Sequence, residues 1–132
     1  MKKVFDWFYP QRHAEDPEAR WGDTEAYRVA AERTKAYTKE DWNRVHEEQA
    51  AIYVDAAKLL ADDQSPDSGL ALAIAERHRL SIDRWFYPCS LEVHVGLADL
   101  YENDQHYAAS IDRYGAGLAK FLVAAIRANA RA

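Results

Sequence analysis

Three of the five histidines, one cysteine and a dense set of aromatic rings are the residues of this chain with chemistry to offer. His46, His78 and His94 fall on three different predicted helices. Imidazoles brought together inside a helical bundle could hold a metal ion, with Glu92 close to His94, and such a centre would support a hydrolase. The spacing argues against it. Helical metal sites place two ligands one turn apart, as in HExxH or HxxxH, and neither string occurs. A hydrogen-bonded histidine on an apolar face is the commoner outcome for His78 and His94. A metal-dependent hydrolase is therefore carried only as the alternative, and no cofactor is expected. Cys89 stands between Pro88 and Ser90, at the start of a predicted helix, where backbone N–H groups could favour a thiolate. No Ser/His/Asp or Cys/His signature surrounds it, and a lone cysteine is more often a packed thiol.

The rings say more. Four Trp, eight Tyr and four Phe are many for 132 residues. Helical spacing puts Trp42, Tyr53, His78, Ile82, Trp85 and Tyr101 on inward stripes. Large rings with N–H and O–H groups to satisfy pack poorly on one another unless something sits between them. These residues are expected to line a pocket for a ring-rich, drug-sized ligand. With Trp21, Tyr27, Phe86, Cys89 and His94 they make up the candidate ligand-binding set.

The elements that must position these side chains are all helical. Apolar residues recur three and four apart, and no segment alternates with period two. A first helix starts at Asp23 or Thr24 and runs to about Tyr37. Thr38 caps a second, with Asp41 completing a capping box, and its stripe is Trp42, Val45, Gln49, Ile52, Ala56 and Leu59. Asp62 to Ser68 is a polar loop. The third helix runs from Gly69 to Phe86, with Leu70, Ile74, His78 and Ile82 on one face, and Pro88 stops it. Ser90 caps a fourth, with Leu91, Val95, Ala98 and Tyr101 on one face. A short helix runs from Asn103-Asp104 to Gly115, and the last from Gly117 to Ala130. The expected class is all-α, with five main helices and one aromatic N-terminal segment. That segment holds Phe5, Trp7, Phe8 and Tyr9 in a stretch without regular period.

Four strings stand out in this frame: RWGDTEAYR (Arg20 to Arg28), YTKEDW (Tyr37 to Trp42), IDRWFYPCS with EVH (Ile82 to His94), and GLADLY (Gly96 to Tyr101). With IDRYGAGLAKFLVAAIRANA near the end, they resemble the TipAS antibiotic-recognition domain, the effector half of a group of MerR-like activators that also occurs as free-standing chains. The likeness extends from about Val4 to Ala130. It implies a compact globin-like helical fold without haem, and capture of macrocyclic thiopeptides or other large apolar antibiotics. The DNA-binding helix-turn-helix and dimerising helix of full-length activators precede such a domain. The expectation is a stand-alone binder, a short internal-start product or an excised piece, dimeric only if fused to a MerR-like half. One departure matters. Gly96 stands where the thiopeptide-responsive prototype has the cysteine that adds to a dehydroalanine of the drug, and Cys89 matches that family's turn cysteine. Covalent capture through Gly96 is ruled out, so the ligand is held non-covalently or belongs to another class. A relative that binds the polyaromatic antibiotic albicidin shows that the fold serves both.

Composition excludes several other classes. Net charge is −5, and the basic residues are interleaved with acids, as in AERTKAYTKEDWNR. A nucleic-acid grip needs Lys and Arg gathered on one face, so none is expected of this chain alone. No run approaches a membrane span, and the N-terminus lacks the apolar core of a signal peptide. With a single cysteine, a soluble cytoplasmic protein is expected. The chain is read as one domain, with residues 1–37 a plastic lid and residues 38–132 the helical core.

Overall fold

The computed structural model describes the backbone of residues 25–132 and the side chains of residues 28–132. The described residues form six helices and no strand: α1 (Glu25–Thr34), α2 (Lys39–Ala61), α3 (Gly69–Trp85), α4 (Leu91–Asn103), α5 (Gln105–Asp112) and α6 (Leu118–Arg131). Side chains written into the sequence set most of the starts. Thr38 Oγ1 accepts the Asp41 N–H at 3.1 Å, and the Asp41 carboxylate accepts the Thr38 N–H at 3.0 Å. Each satisfies a donor that a helix end leaves without an intrahelical partner. Ser68, Ser90 and Asp104 cap α3, α4 and α5 in the same manner through Ala71, Val93 and His106. The start of α6 is different. Gly117 lies at φ 83°, in the left-handed region that suits glycine, and has no side chain to lend. The cap comes from the preceding helix, where the Asp112 carboxylate accepts the Ala119 N–H at 2.8 Å.

The core is arranged around α6. Leu118, Ala119, Phe121, Leu122, Val123, Ala125, Ile126 and Ala128 are buried, so α6 is apolar over most of its circumference, as a central helix must be. It packs against α2, α3, α4 and α5, while α1 packs mainly on α3. Each large aliphatic side chain buried there contributes ~1.5–3 kcal/mol before conformational entropy is set against it. Around this core run cross-helix ion pairs, Asp55–Arg77 and Glu48–Arg84 between α2 and α3, and Arg127 with Asp99 and Glu102 between α6 and α4. Exposed pairs of this kind are screened by solvent and contribute little, so they mark register rather than supply stability.

The departures from expectation lie at helix ends. The first helix stops at Thr34, not Tyr37, where the Thr34 hydroxyl turns back to the Ala30 carbonyl at 2.8 Å and the Tyr37 hydroxyl is drawn to the Trp85 carbonyl. The short helix ends at Asp112 instead of Gly115, because Asp112 is committed to capping α6. Leu70 was expected on the inner face of the third helix, yet it is 59 % exposed, and Ala71 is buried in its stead. Leu91, placed on the inner face of the fourth helix, is exposed, while His94 and Leu97 are buried. Both leucines sit in first turns that overhang the core.

Candidate functional site

A cleft of about 240 Å³ opens beside α2, α4 and α5. One wall is His46, Gln49, Ala50 and Tyr53 on α2, at positions i, i+3, i+4 and i+7. The other is Tyr107, Ser110, Ile111 and Tyr114, which repeat the same spacing along α5 and the turn after it. Residues so spaced share one helix face, so each wall is a single stripe. Both α2 and α5 rest on α6, and the cleft is the space between them. Tyr101 from α4 and Arg113 complete the lining. The tyrosines meet in pairs, Tyr53 with Tyr114 at 5.3 Å and Tyr101 with Tyr107 at 5.4 Å between ring centroids. Rings at these distances offer flat, polarisable faces to an aromatic ligand.

A buried polar chain backs the wall. Tyr53 Oη lies 3.3 Å from His78 Nε2, and His78 Nδ1 lies 2.8 Å from His94 Nε2. The two imidazoles are stacked 5.1 Å apart, and Tyr101 stands edge-on to His78 at 6.0 Å. Desolvation holds both imidazoles neutral, with the pKa of each pushed below the ordinary value of 6.5; the partner ring adds to the effect at His78, and the Arg79 guanidinium at His94. The bond between two neutral rings needs one proton, which fixes the tautomers in tandem along the chain to Tyr53. His94 Nδ1 is buried without a hydrogen-bond partner among the described residues. Burial also raises the Tyr53 and Tyr101 phenols, which stay protonated at neutral pH. On the α2 side, Gln49 Nε2 donates to Ser81 Oγ at 2.6 Å, and its Oε1 has no donor among the described residues.

The candidate ligand-binding residues fall into groups. Tyr53 and Tyr101 line the cleft, and His78 and His94 stand behind them. Trp42, Trp85 and Phe86 lie in a separate cluster closed by Tyr37, whose ring is 5.5 Å from Trp42 and 5.7 Å from Trp85. Ile82 is wholly buried in the core. Cys89 is buried too; its N–H is held by the Asp83 carboxylate at 2.8 Å and its carbonyl by Arg79 at 2.7 Å. Burial pushes its thiol up to about 12, so the thiolate that a nucleophile needs is absent at neutral pH. Trp21 and the side chain of Tyr27 lie outside the described residues, as does the aromatic segment before them. The three-histidine grouping does not form. His46 is on the cleft wall, His78 and His94 are paired behind it, and no metal-capable cluster occurs among the described residues. Sequence reasoning missed the α5 wall and Arg113. The signal was the spacing of Tyr107, Ser110, Ile111 and Tyr114 along the expected short helix.

Comparison with known proteins gives a consistent result. Residues 13–129 match the family model described as the TipAS antibiotic-recognition domain. The chain is 38 % identical over 128 residues to the HTH-type transcriptional activator TipA of Streptomyces lividans, covering 97 % of this chain and 51 % of the relative. It is 30 % identical over 136 residues to the HTH-type transcriptional regulator SkgA of Caulobacter vibrioides, covering 98 % of this chain and 53 % of that one. The chain thus spans about half the length of these curated relatives. Among solved structures it resembles TipAS of Streptomyces lividans in complex with nosiheptide, from a thiopeptide antibiotic multidrug resistance system. The TM-score is 0.87 at 38 % identity, over 98 % of this chain and 91 % of that one.

Proposed function

The chain belongs to the TipAS antibiotic-recognition domain family, and from that premise we propose that it binds a bulky, largely apolar antibiotic, thiopeptide-like or polyaromatic, without catalysing a reaction. The observation that carries this reading is the tyrosine-walled cleft, set in a fold shared with a protein whose structure holds nosiheptide. Drug-sized ligands usually occupy ~300–1,000 Å³, so a cleft of about 240 Å³ takes one ring-bearing arm of the ligand. The remainder lies over the neighbouring surface, under a lid of residues 1–37 that contributes Trp21 and Tyr27, with residues 38–132 as the core. Tyr53 and Tyr101 touch the ligand, and His78 and His94 set the Tyr53 hydroxyl. Trp42, Ile82, Trp85, Phe86 and Cys89 support the wall from the core side.

The Cys89 thiol is protonated and so is no nucleophile, and the histidine pair is buried behind the tyrosines and lowered in basicity, which leaves it a poor general base. The protein works in the cytoplasm, either sequestering the drug or acting as the effector half of a multidrug-responsive activator. With net charge −5 it does not hold nucleic acid by itself. No described helix is long and apolar enough to cross a membrane. A thermal-shift series against nosiheptide, other thiopeptides and polyaromatic antibiotics tests the proposal. A ligand at a hundred times its Kd adds about 2.7 kcal/mol, which raises Tm by on the order of 10 °C. A Tm unmoved by every member of the series would remove the reading.

A further inference from the structure

The cleft has a polarity that its protein does not share. The chain carries a net charge of −5, yet the described residues of the cleft walls include no carboxylate. Their titratable side chains are four tyrosines, His46 and Arg113. Arg113 is the residue at the end of α5, and its guanidinium has neither ion pair nor hydrogen bond among the described residues. Arg77, Arg79, Arg84 and Arg127 are each held by a carboxylate, and Arg44 and Arg131, which like Arg113 have no such partner among the described residues, are not in the lining of this cleft. The acid next to Arg113 in sequence, Asp112, is spent on the Ala119 N–H at 2.8 Å. On the facing wall Gln49 is 3 % exposed, with Nε2 committed to Ser81 and Oε1 without a partner among the described residues. A neutral amide offers a hydrogen bond to a ligand and no countercharge to Arg113. Among the described residues the cleft therefore combines flat aromatic faces, an unpartnered amide oxygen and one cation without a countercharge.

We propose that the cleft receives an aromatic acid, a planar ring bearing a carboxylate, with the ring between the tyrosines and the carboxylate on Arg113. Arg113 is then the residue that makes the domain prefer an acid over its neutral analogue. This deepens the antibiotic-binding reading and rests on it, since the acid is the arm of the antibiotic that enters the cleft. A guanidinium suits the role because its planar fork matches a carboxylate in two parallel hydrogen bonds.

The test uses the full chain, isotopically labelled, titrated at low salt with naphthalene carboxylate and separately with naphthalene carboxamide. The carboxylate should shift the amides of Gln49, Tyr53, Ser110 and Tyr114 and bind about tenfold more tightly than the carboxamide, the size of one charge-assisted contact at a partly wet site. That preference should vanish in Arg113→Gln, which folds because the side chain it replaces is exposed and makes no hydrogen bond or ion pair among the described residues, and should persist in Arg131→Gln, which matches it in net charge. Equal binding of the two probes, a preference that survives Arg113→Gln, or no shift with either probe would overturn the inference. A parallel nosiheptide titration separates the two readings. Nosiheptide binding with no acid preference sinks the aromatic-acid cleft alone. An Arg113-dependent acid preference with no antibiotic binding sinks the antibiotic reading.

Discussion

At the scale of single residues, the buried pair His78 and His94 makes the protein sensitive to mild acid. Both rings are neutral in the fold, because burial holds each below its ordinary value of 6.5, whereas the unfolded chain takes up protons as pH falls through 6.5. The stability they contribute is present above that value and lost below it. Two such groups cost about 2 kcal/mol between about pH 7 and about pH 5.5. Urea denaturation at the two pH values should show this loss, while the imidazole proton resonances of the pair stay untitrated in the folded protein. Unchanged stability, or titration of the pair near 6.5 in the fold, would contradict the assignment. Cys89 shows why residue type alone misleads. The sequence places it at a helix start, where a thiolate is plausible, but the structure turns its Sγ towards the Ser90 carbonyl and buries it. Gly96 is the opposite case. A Cβ there meets nothing within 4 Å, so the glycine is not required by packing.

At the scale of elements, the caps are local chemistry and were legible as such. Thr38 and Asp41 close the start of α2, the helix that carries His46, Gln49 and Tyr53 to the cleft. Removing the hydroxyl in Thr38→Ala breaks the box and should cost about 1 kcal/mol, whereas Thr38→Ser should be close to neutral. Urea midpoints of the two variants measure it, and equal midpoints for Thr38→Ala and the parent would show that the box carries no weight. Helix ends governed by distant partners were not legible. The termination of α1 depends on the Tyr37 hydroxyl reaching the Trp85 carbonyl, and that of α5 on Asp112 reaching Ala119. The string around Tyr37 does not reveal a partner 48 residues away.

At the scale of the molecule, helices α2 to α6 close the core through α6, while α1 is tied mainly to α3, by the burial of Ala30 and the Arg33 bond to the Asp83 carbonyl at 2.6 Å. Local stability follows the number of such ties. The proposed lid therefore predicts a gradient. In the free protein, amides from Trp7 to Arg33 should exchange faster than those from Ile74 to Ile82, and saturation with nosiheptide should protect them. Ordering about thirty residues costs on the order of 1–2 kcal/mol each, so the ligand must supply a large contact area in return. Equal protection of the two segments in the free protein would mean a preformed pocket and no lid.

The sequence by itself determined the all-helical class, the polar loop at 62–68 and the caps Thr38 and Ser90, because period and capping are properties of adjacent residues. It also carried the family, through ordered strings that span the chain. Only the tertiary structure decided which rings line a cleft and which are core. Trp42, Tyr53, Ile82 and Tyr101 have the same inward periodicity, yet only Tyr53 and Tyr101 lie where α2 and α5 stand apart on α6. Inwardness is set within one helix, but whether an inward ring meets another side chain or open space depends on how two helices are spaced by a third.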